Sequence, residues 1–230
     1  LLASLRAGPP TAGAADKIID QLDEHALAQA LEEWPDSQAV LHWRAIREAS
    51  ASGDRRHVWI RRGPEILAAS VDDLSPVLLA DVKLELAEAL HELSKPAATS
   101  GKEAERALGL AVEARQVYLA LAPEAGRLRD AYVVEAKMLS SVRGLKAGLA
   151  LLAEGATVFA ERRKTVSDGR GRADELGGEA RMLAVAARWL GRAGRREEAL
   201  GLARRALELG EQAQGEAEHF FARGVLARLL

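Results

Sequence analysis

Three arginines late in the chain, Arg181, Arg188 and Arg192, are separated by seven and four residues. On a helix these spacings place the three side chains on one face. A guanidinium group presents a planar fork of N–H donors that matches a carboxylate. The stripe therefore indicates recognition of an acidic or carboxylate-terminated partner segment, and the alternative is a solvated helix face with no partner.

No residue pattern in the sequence indicates an active site. The phosphate-binding motifs GxxxxGK[ST] and GxGxxG are absent, as is the nucleophile motif GxSxG. Adjacent carboxylates such as Glu197 and Glu198 point in different directions on a helix and have no catalytic partner nearby. The five histidines never form a pair at metal-ligand spacing, and cysteine is absent. We therefore expect no enzymatic activity, no cofactor and no metal site, and we expect the histidines to lie at the surface or at the rim of the core.

The stripe belongs to a pair of amphipathic helices within residues 178–212, joined by a short turn at residues 192–195. Apolar residues recur at steps of three and four, which is the helical period. They are Leu183, Ala186, Ala187 and Leu190 in the first helix, and Ala199, Leu202, Ala203, Ala206, Leu207 and Leu209 in the second. Small residues dominate where the two helices would touch, so their axes can approach closely. Such a hairpin needs similar neighbours to bury its apolar stripe.

The hairpin resembles a tetratricopeptide repeat (TPR), a helix–turn–helix unit of about 34 residues. Gly194 stands at the family's turn glycine, Ala199 at the alanine that opens the second helix, and Ala206 two turns later. Leu183 and Ala203 stand where the family prefers Trp and Phe. The resemblance implies an all-α fold, a TPR-like right-handed α-solenoid of antiparallel helix pairs with degenerate repeats, over residues 16–230. A compact helical bundle is the alternative.

The resemblance also implies where a partner binds, because the first helices of TPR units line a concave groove that receives a peptide. Carried over to this sequence, the groove residues are Trp43, Arg47, Arg129, Tyr132, Arg181, Arg188 and Arg192. The partner is then a protein or peptide, acidic where it meets the arginines.

Composition favours helix and limits the kinds of partner. The chain is 48% hydrophobic, rich in Ala, Leu, Glu and Arg, and poor in Pro. Its net charge of -2 argues against a general nucleic-acid binder. No apolar run reaches membrane-spanning length, and residues 1–15 have the composition of a linker, not of a signal peptide. We expect a cytoplasmic protein without nucleic-acid or membrane partners. The excess of arginine over lysine and the missing initial Met indicate a segment of a larger bacterial protein.

Periodicity and capping residues predict the helix boundaries. Helices are expected over residues 16–34, 38–52, 55–69, 75–93, from after residue 102 to 121, 127–142, from after Gly144 onwards, over the hairpin, and over 216–230. Gly63 and Pro64 should break or kink the third of these. Longer loops are predicted near 95–102 and 165–178, the second because it is rich in glycine and charge and poor in apolar residues.

The sequence thus predicts a protein-interaction module that binds a partner in a concave groove. Two alternatives stay open. One is a ligand-sensing regulatory domain of a multidomain transcription regulator, which would show a closed apolar pocket. The other is a helical accessory domain of an enzyme, such as a kinase or a caspase-like protease, whose catalytic domain lies outside this segment. The sequence leaves the oligomeric state open.

Overall fold

The computed structural model describes residues 24–70, 72, 74–94, 101–121, 125–213 and 216–230 of the 230-residue chain. These residues form ten helices and no β-strand, which confirms the predicted all-α class. In chain order the helices are α1 (Glu24–Glu33), α2 (Gln38–Ala51), α3 (Arg55–Ala68), α4 (Pro76–Ser94), α5 (Gly101–Leu121), α6 (Ala125–Arg143), α7 (Leu145–Thr165), α8 (Gly169–Arg192), α9 (Arg196–Ala213) and α10 (Glu216–Leu229). The predicted linker over 1–15 and most of the predicted loop near 95–102 lie outside the described residues.

Most helices begin and end close to their predicted boundaries because local signals fix their ends. The Ser37 hydroxyl accepts a hydrogen bond from the Val40 N–H at 3.2 Å and caps α2, and the Asp54 carboxylate caps α3. Gly144 and Gly194 have φ angles of 88° and 78°, in the left-handed region that glycine adopts most readily. They end α6 and α8 and let the chain reverse into α7 and α9. The hairpin predicted around Gly194 is therefore present.

Contacts divide the chain into two compact units, with the division inside α5 between Val117 and Tyr118. In the first unit α1 packs against α2, α2 against α3, and α3 against α4. Its core contains Ala39, Ala45, Trp59, Ile66, Leu74, Val82 and Ala89. Helix α3 continues through Pro64, so of the predicted break or kink at that residue the break does not occur.

The second unit is built around α8. This helix packs against α6, α7, α9 and α10, while α6 also packs against α7 and α9 against α10. The contact layers consist largely of alanine: one layer holds Ala184, Ala206 and Ala222, and the next holds Ala187, Ala203 and Val225. Because these side chains are small, the helix axes can lie close together, as the sequence indicated.

The loop predicted over residues 165–178 is mostly helical in the structure, and this is the largest difference from the predicted helix boundaries. Helix α7 continues to Thr165, and α8 already begins at Gly169, so only Val166, Ser167 and Asp168 connect them. The Asp168 carboxylate accepts a hydrogen bond from the Gly171 N–H at 2.6 Å and caps the new helix. Residues 169–178 therefore form the first turns of α8.

Tertiary packing explains why this glycine-rich segment is helical. A Cβ atom added at Gly178 would lie 2.8 Å from Cγ of the buried Phe159, so only glycine lets α8 lie against that ring. The buried Glu175 accepts a hydrogen bond from Arg162 Nε of α7 at 2.8 Å. These contacts between α7 and α8 outweigh the unfavourable helix propensity of glycine, about 1 kcal/mol per residue.

Replacing Ala199 by Leu is expected to destabilise the chain by roughly 1–3 kcal/mol, because a larger side chain would overpack the hairpin. Ala199 is fully buried, and its Cβ would lie 3.9 Å from a Cβ placed on Gly191 of α8. The measurement is urea-induced unfolding followed by circular dichroism. The exposed Ala227 of α10 provides the control, since Ala227→Leu should change stability by less than about 0.5 kcal/mol. Equal unfolding curves for the two variants would contradict the packing of the hairpin.

Candidate functional site

The structure places the three arginines of the predicted stripe in two different environments. Arg181 is half-buried, and its guanidinium carbon lies 3.8 Å from the centre of the Phe221 ring of α10. This distance is that of a cation–π contact. Burial lowers the pKa of Arg181, and the nearby Arg129 lowers it further. Arg181 thus serves to pack α8 against α10 and is only partly available to a partner.

An ion pair between α6 and α10 adjoins Arg181. Arg129 of α6 donates a hydrogen bond to the Glu218 carboxylate of α10, and it also contacts Asp130 at 3.4 Å. A Cβ atom on Gly177 would lie 3.4 Å from Glu218 Cγ, so the Glu218 side chain passes directly over α8. The positive charges of Arg129 and Arg181 are therefore offset by acidic groups of the same unit.

Arg188 and Arg192 have different surroundings. The Nε of Arg188 is buried and has no hydrogen-bond partner among the described residues. Burial lowers the pKa of Arg188, and the positive charges of Arg192 and Arg228 lower it further. Arg192 and Arg228 are exposed, and neither forms an ion pair with a described residue. We call Arg188, Arg192 and Arg228 the arginine cluster.

The arginine cluster carries positive charge that the described part of the chain does not neutralise. Several other arginines of the second unit are paired: Arg162 with Glu175 at 2.8 Å, Arg163 with Glu179 at 3.0 Å, Arg195 with Glu198 at 2.6 Å, and Arg205 with Glu208 at 3.2 Å. Arg170 and Arg204 are exposed and form no ion pair with a described residue, but they stand apart from the cluster in the sequence. Three guanidinium groups that repel one another are stabilised by an incoming carboxylate, which can accept several of their N–H groups.

The sequence identified two members of the cluster and missed the third. Arg228 belongs to α10, and its approach to Arg188 follows from the packing of α10 against α8. Spacing along one helix carries no information about a neighbouring helix. The only available sequence signal was the amphipathic pattern of residues 216–230, which placed a further helix beside the hairpin without its rotation.

Two residues predicted to line the groove belong to the core instead. Trp43 is only 6% exposed, and Tyr132 is completely buried, with its ring edge-on to Phe159 at a centroid distance of 6.3 Å. The Tyr132 hydroxyl donates a hydrogen bond to Glu154 Oε1 at 3.2 Å. Arg47 is half-buried on α2 in the first unit. The predictions for Trp43 and Tyr132 are therefore wrong, because both aromatic side chains pack into the interior.

Histidine and carboxylate side chains are the remaining described groups that could bind a metal ion or transfer a proton. Among the described residues no three His, Asp or Glu side chains stand close enough together to hold a metal ion. His42 and His91 are buried, contrary to the surface or rim position expected for them. Burial raises the pKa of Glu175, although Arg162 partly offsets this effect.

In the part of the chain that the structure describes, no helix combines the length and apolar character needed to cross a bilayer.

Comparison of the chain with protein-family models, with curated proteins and with solved structures finds no match. The likeness to TPR units accordingly remains a prediction from the sequence.

Proposed function

We propose that this chain is a protein-interaction module with a TPR-like α-solenoid in its second unit, and that α8 and α10 bind an acidic segment of a partner protein. The observation that carries the proposal is the arginine cluster, in which the buried Nε of Arg188 has no hydrogen-bond partner among the described residues and the charges of Arg192 and Arg228 act on Arg188. A binding function rather than catalysis is favoured because the charged groups nearby are arginines, which remain protonated and transfer no protons.

The helix contacts of the second unit support the solenoid part of the proposal. Helices α6 and α7 form one hairpin and α8 and α9 the next. Helix α8 packs against both members of the preceding hairpin, and α10 packs against both α8 and α9. Each new first helix thus meets the first and second helices of the preceding pair, which is the stacking expected of repeats that share one continuous core.

In this arrangement α6, α8 and α10 occupy equivalent positions, so a partner lying across them would meet residues of all three helices. Arg188 and Arg192 of α8 and Arg228 of α10 would bind its carboxylates. The Arg129–Glu218 pair marks where this positive surface becomes neutral. A partner segment with its acidic residues at one end matches this distribution of charge.

The test uses the full chain and a fluorescein-labelled twelve-residue peptide in which Glu and Ser alternate. Fluorescence anisotropy is expected to show binding that weakens as salt is raised, because the attraction between opposite charges is screened. The double variant Arg188→Glu, Arg192→Glu should weaken binding by about tenfold or more, since attraction becomes repulsion. Its helicity should change little, because neither arginine forms an ion pair with a described residue. Circular dichroism and thermal melting of the variant check that the partly buried position of Arg188 accepts the change.

The control is the double variant Arg170→Glu, Arg204→Glu. It changes the net charge by the same amount, and both arginines are exposed and form no ion pair with a described residue. We expect it to retain at least half of the peptide affinity. Equal losses of peptide affinity in the two double variants would show that the effect comes from net charge alone. Unchanged peptide binding by the cluster variant with an intact fold would show that the arginine cluster does not bind the partner.

A further inference from the structure

Helices α7, α8 and α9 surround a cavity of about 660 Å³ within the second unit. Its wall is almost entirely apolar and consists of Leu145, Leu149, Ala150, Leu152, Ala153, Met182, Leu183, Ala186, Leu190 and Leu202. On one side the lining residues Lys146, Ala150 and Ala153 of α7 and Glu198 of α9 are exposed, so a ligand can enter from solvent. The volume lies within the range of about 300–1,000 Å³ that is usual for small-molecule sites.

The apolar lining of the cavity favours a ligand that has no backbone polar groups. Among the described residues that line the cavity, Lys146, Arg195 and Glu198 are the only charged ones. An extended peptide would bury its N–H and C=O groups against leucine and alanine, and each group without a hydrogen bond would cost free energy. A helix satisfies its own backbone, but one turn with its side chains occupies roughly 400–600 Å³, so little more than a single turn would fit. A flexible alkyl chain meets neither difficulty.

The charged residues at the mouth of the cavity determine which charge on the ligand is favoured. Arg195 donates two hydrogen bonds to Glu198, from Nε at 2.7 Å and from an Nη at 2.6 Å, and the two charges neutralise each other. Lys146 is exposed and makes no hydrogen bond or ion pair with a described residue. One unneutralised ammonium group therefore stands at the rim, where an anionic head group would meet it.

We propose that this cavity binds a single-chain amphiphile with an anionic head group, such as a long-chain carboxylate. The alkyl tail lies among the leucines of α7, α8 and α9, and the head group contacts the Lys146 ammonium at the mouth. This site is separate from the arginine cluster and does not depend on it. Met182, Ala186 and Leu190 of α8 line the cavity, whereas Arg188 and Arg192 of the same helix lie outside its lining.

The test compares dodecanoate with dodecyltrimethylammonium, which share a tail and differ in head-group charge, by isothermal titration calorimetry of the full chain below micellar concentrations. We expect one dodecanoate per chain and weaker binding of the cation. Lys146→Glu should lower dodecanoate affinity about fivefold and raise that of the cation, since an exposed ion pair is replaced by repulsion. Arg204→Glu is the control for net charge, because Arg204 is exposed and does not line the cavity.

Filling the cavity tests the position of the tail. Ala186→Leu from the floor, and Ala150→Leu from the exposed rim, should each lower the affinity for both amphiphiles about tenfold, because the space for two or so methylene groups is lost. The rim variant guards against a folding defect in the floor variant, and circular dichroism checks both. The proposal is overturned if dodecanoate does not bind, if both filled variants bind it unchanged, or if Arg204→Glu has the effect expected of Lys146→Glu.

Discussion

Gly148→Leu is expected to destabilise the second unit by roughly 3 kcal/mol or more, at or beyond the upper end of the usual cost of overpacking. Gly148 lies in α7 where that helix meets α6 and α8. A Cβ atom there would lie 2.7 Å from the Ala136 carbonyl oxygen, 2.8 Å from Ser140 Cβ and 2.9 Å from the Trp189 ring. The nearest of these atoms belongs to backbone, so a side chain can be accommodated only if the helices move apart.

The matched control is Gly201→Leu in α9, where nothing lies within 4 Å of an added Cβ atom. This substitution should stabilise the chain by about 0.5–1 kcal/mol, because leucine has the better helix propensity. The two variants have the same composition and belong to the same unit, and yet they should shift the thermal midpoint in opposite directions. Midpoints that move together would show that α6 and α7 are not held at the distance described.

The contrast between these glycines shows what the sequence could reveal. Gly144 and Gly194 were assigned correctly as turns, because each follows an amphipathic helix and adopts a positive φ. Gly148 and Gly178 look no different in the sequence, but they lie inside helices at points of close approach. Whether a glycine ends a helix or lets another element come near depends on tertiary contacts, and a single sequence does not contain these contacts.

The candidate site, too, could be predicted from the sequence only in part. Arg188 and Arg192 were found because their spacing along one helix decides which face they share. Trp43 and Tyr132 were placed in a groove by analogy with TPR units, but a rotation of one residue, about 100°, is enough to turn a side chain from a groove into a core. Arg228 and the cavity beside Lys146 depend on how neighbouring helices pack, so neither could be derived from a pattern within one helix.

In the first unit, Glu48→Gln is expected to reduce stability at neutral pH by about 3 kcal/mol, because it removes the negative charge, and one of the two acceptor oxygens, that face a nearly buried arginine. Arg62 of α3, 9% exposed, donates to both carboxylate oxygens of Glu48 on α2, at 3.0 and 2.7 Å. Arg44 and Arg61 donate to the same carboxylate, at 3.0 and 2.5 Å. The variant would leave Arg62 with its 2.7 Å contact to Glu65 as the remaining charged partner.

The same carboxylate should make the stability of the first unit depend on pH. Hydrogen bonding from Arg62 is the largest cause that lowers the pKa of Glu48, from 4.5 to about 2, against the opposing effect of burial. A carboxyl group with a lowered folded-state pKa stabilises the fold above its unfolded pKa, and this contribution is lost as the pH falls towards 2. The loss should amount to about 1–3 kcal/mol after allowance for partial exposure to solvent.

The measurement is urea-induced unfolding of the unmodified chain and of Glu48→Gln at a series of pH values from 7 to 2. Since glutamine carries no titratable proton, the difference in unfolding free energy between the two proteins isolates Glu48 from all other carboxylates. This difference should be constant from pH 7 to about pH 5 and shrink steadily below the unfolded pKa of 4.5. The exposed Glu33 of α1 serves as the control, and Glu33→Gln should change stability by less than about 0.5 kcal/mol at neutral pH. A difference for Glu48→Gln that stays the same down to pH 2 would contradict the role assigned to its ionised form, because the contacts would then act through shape and not through charge.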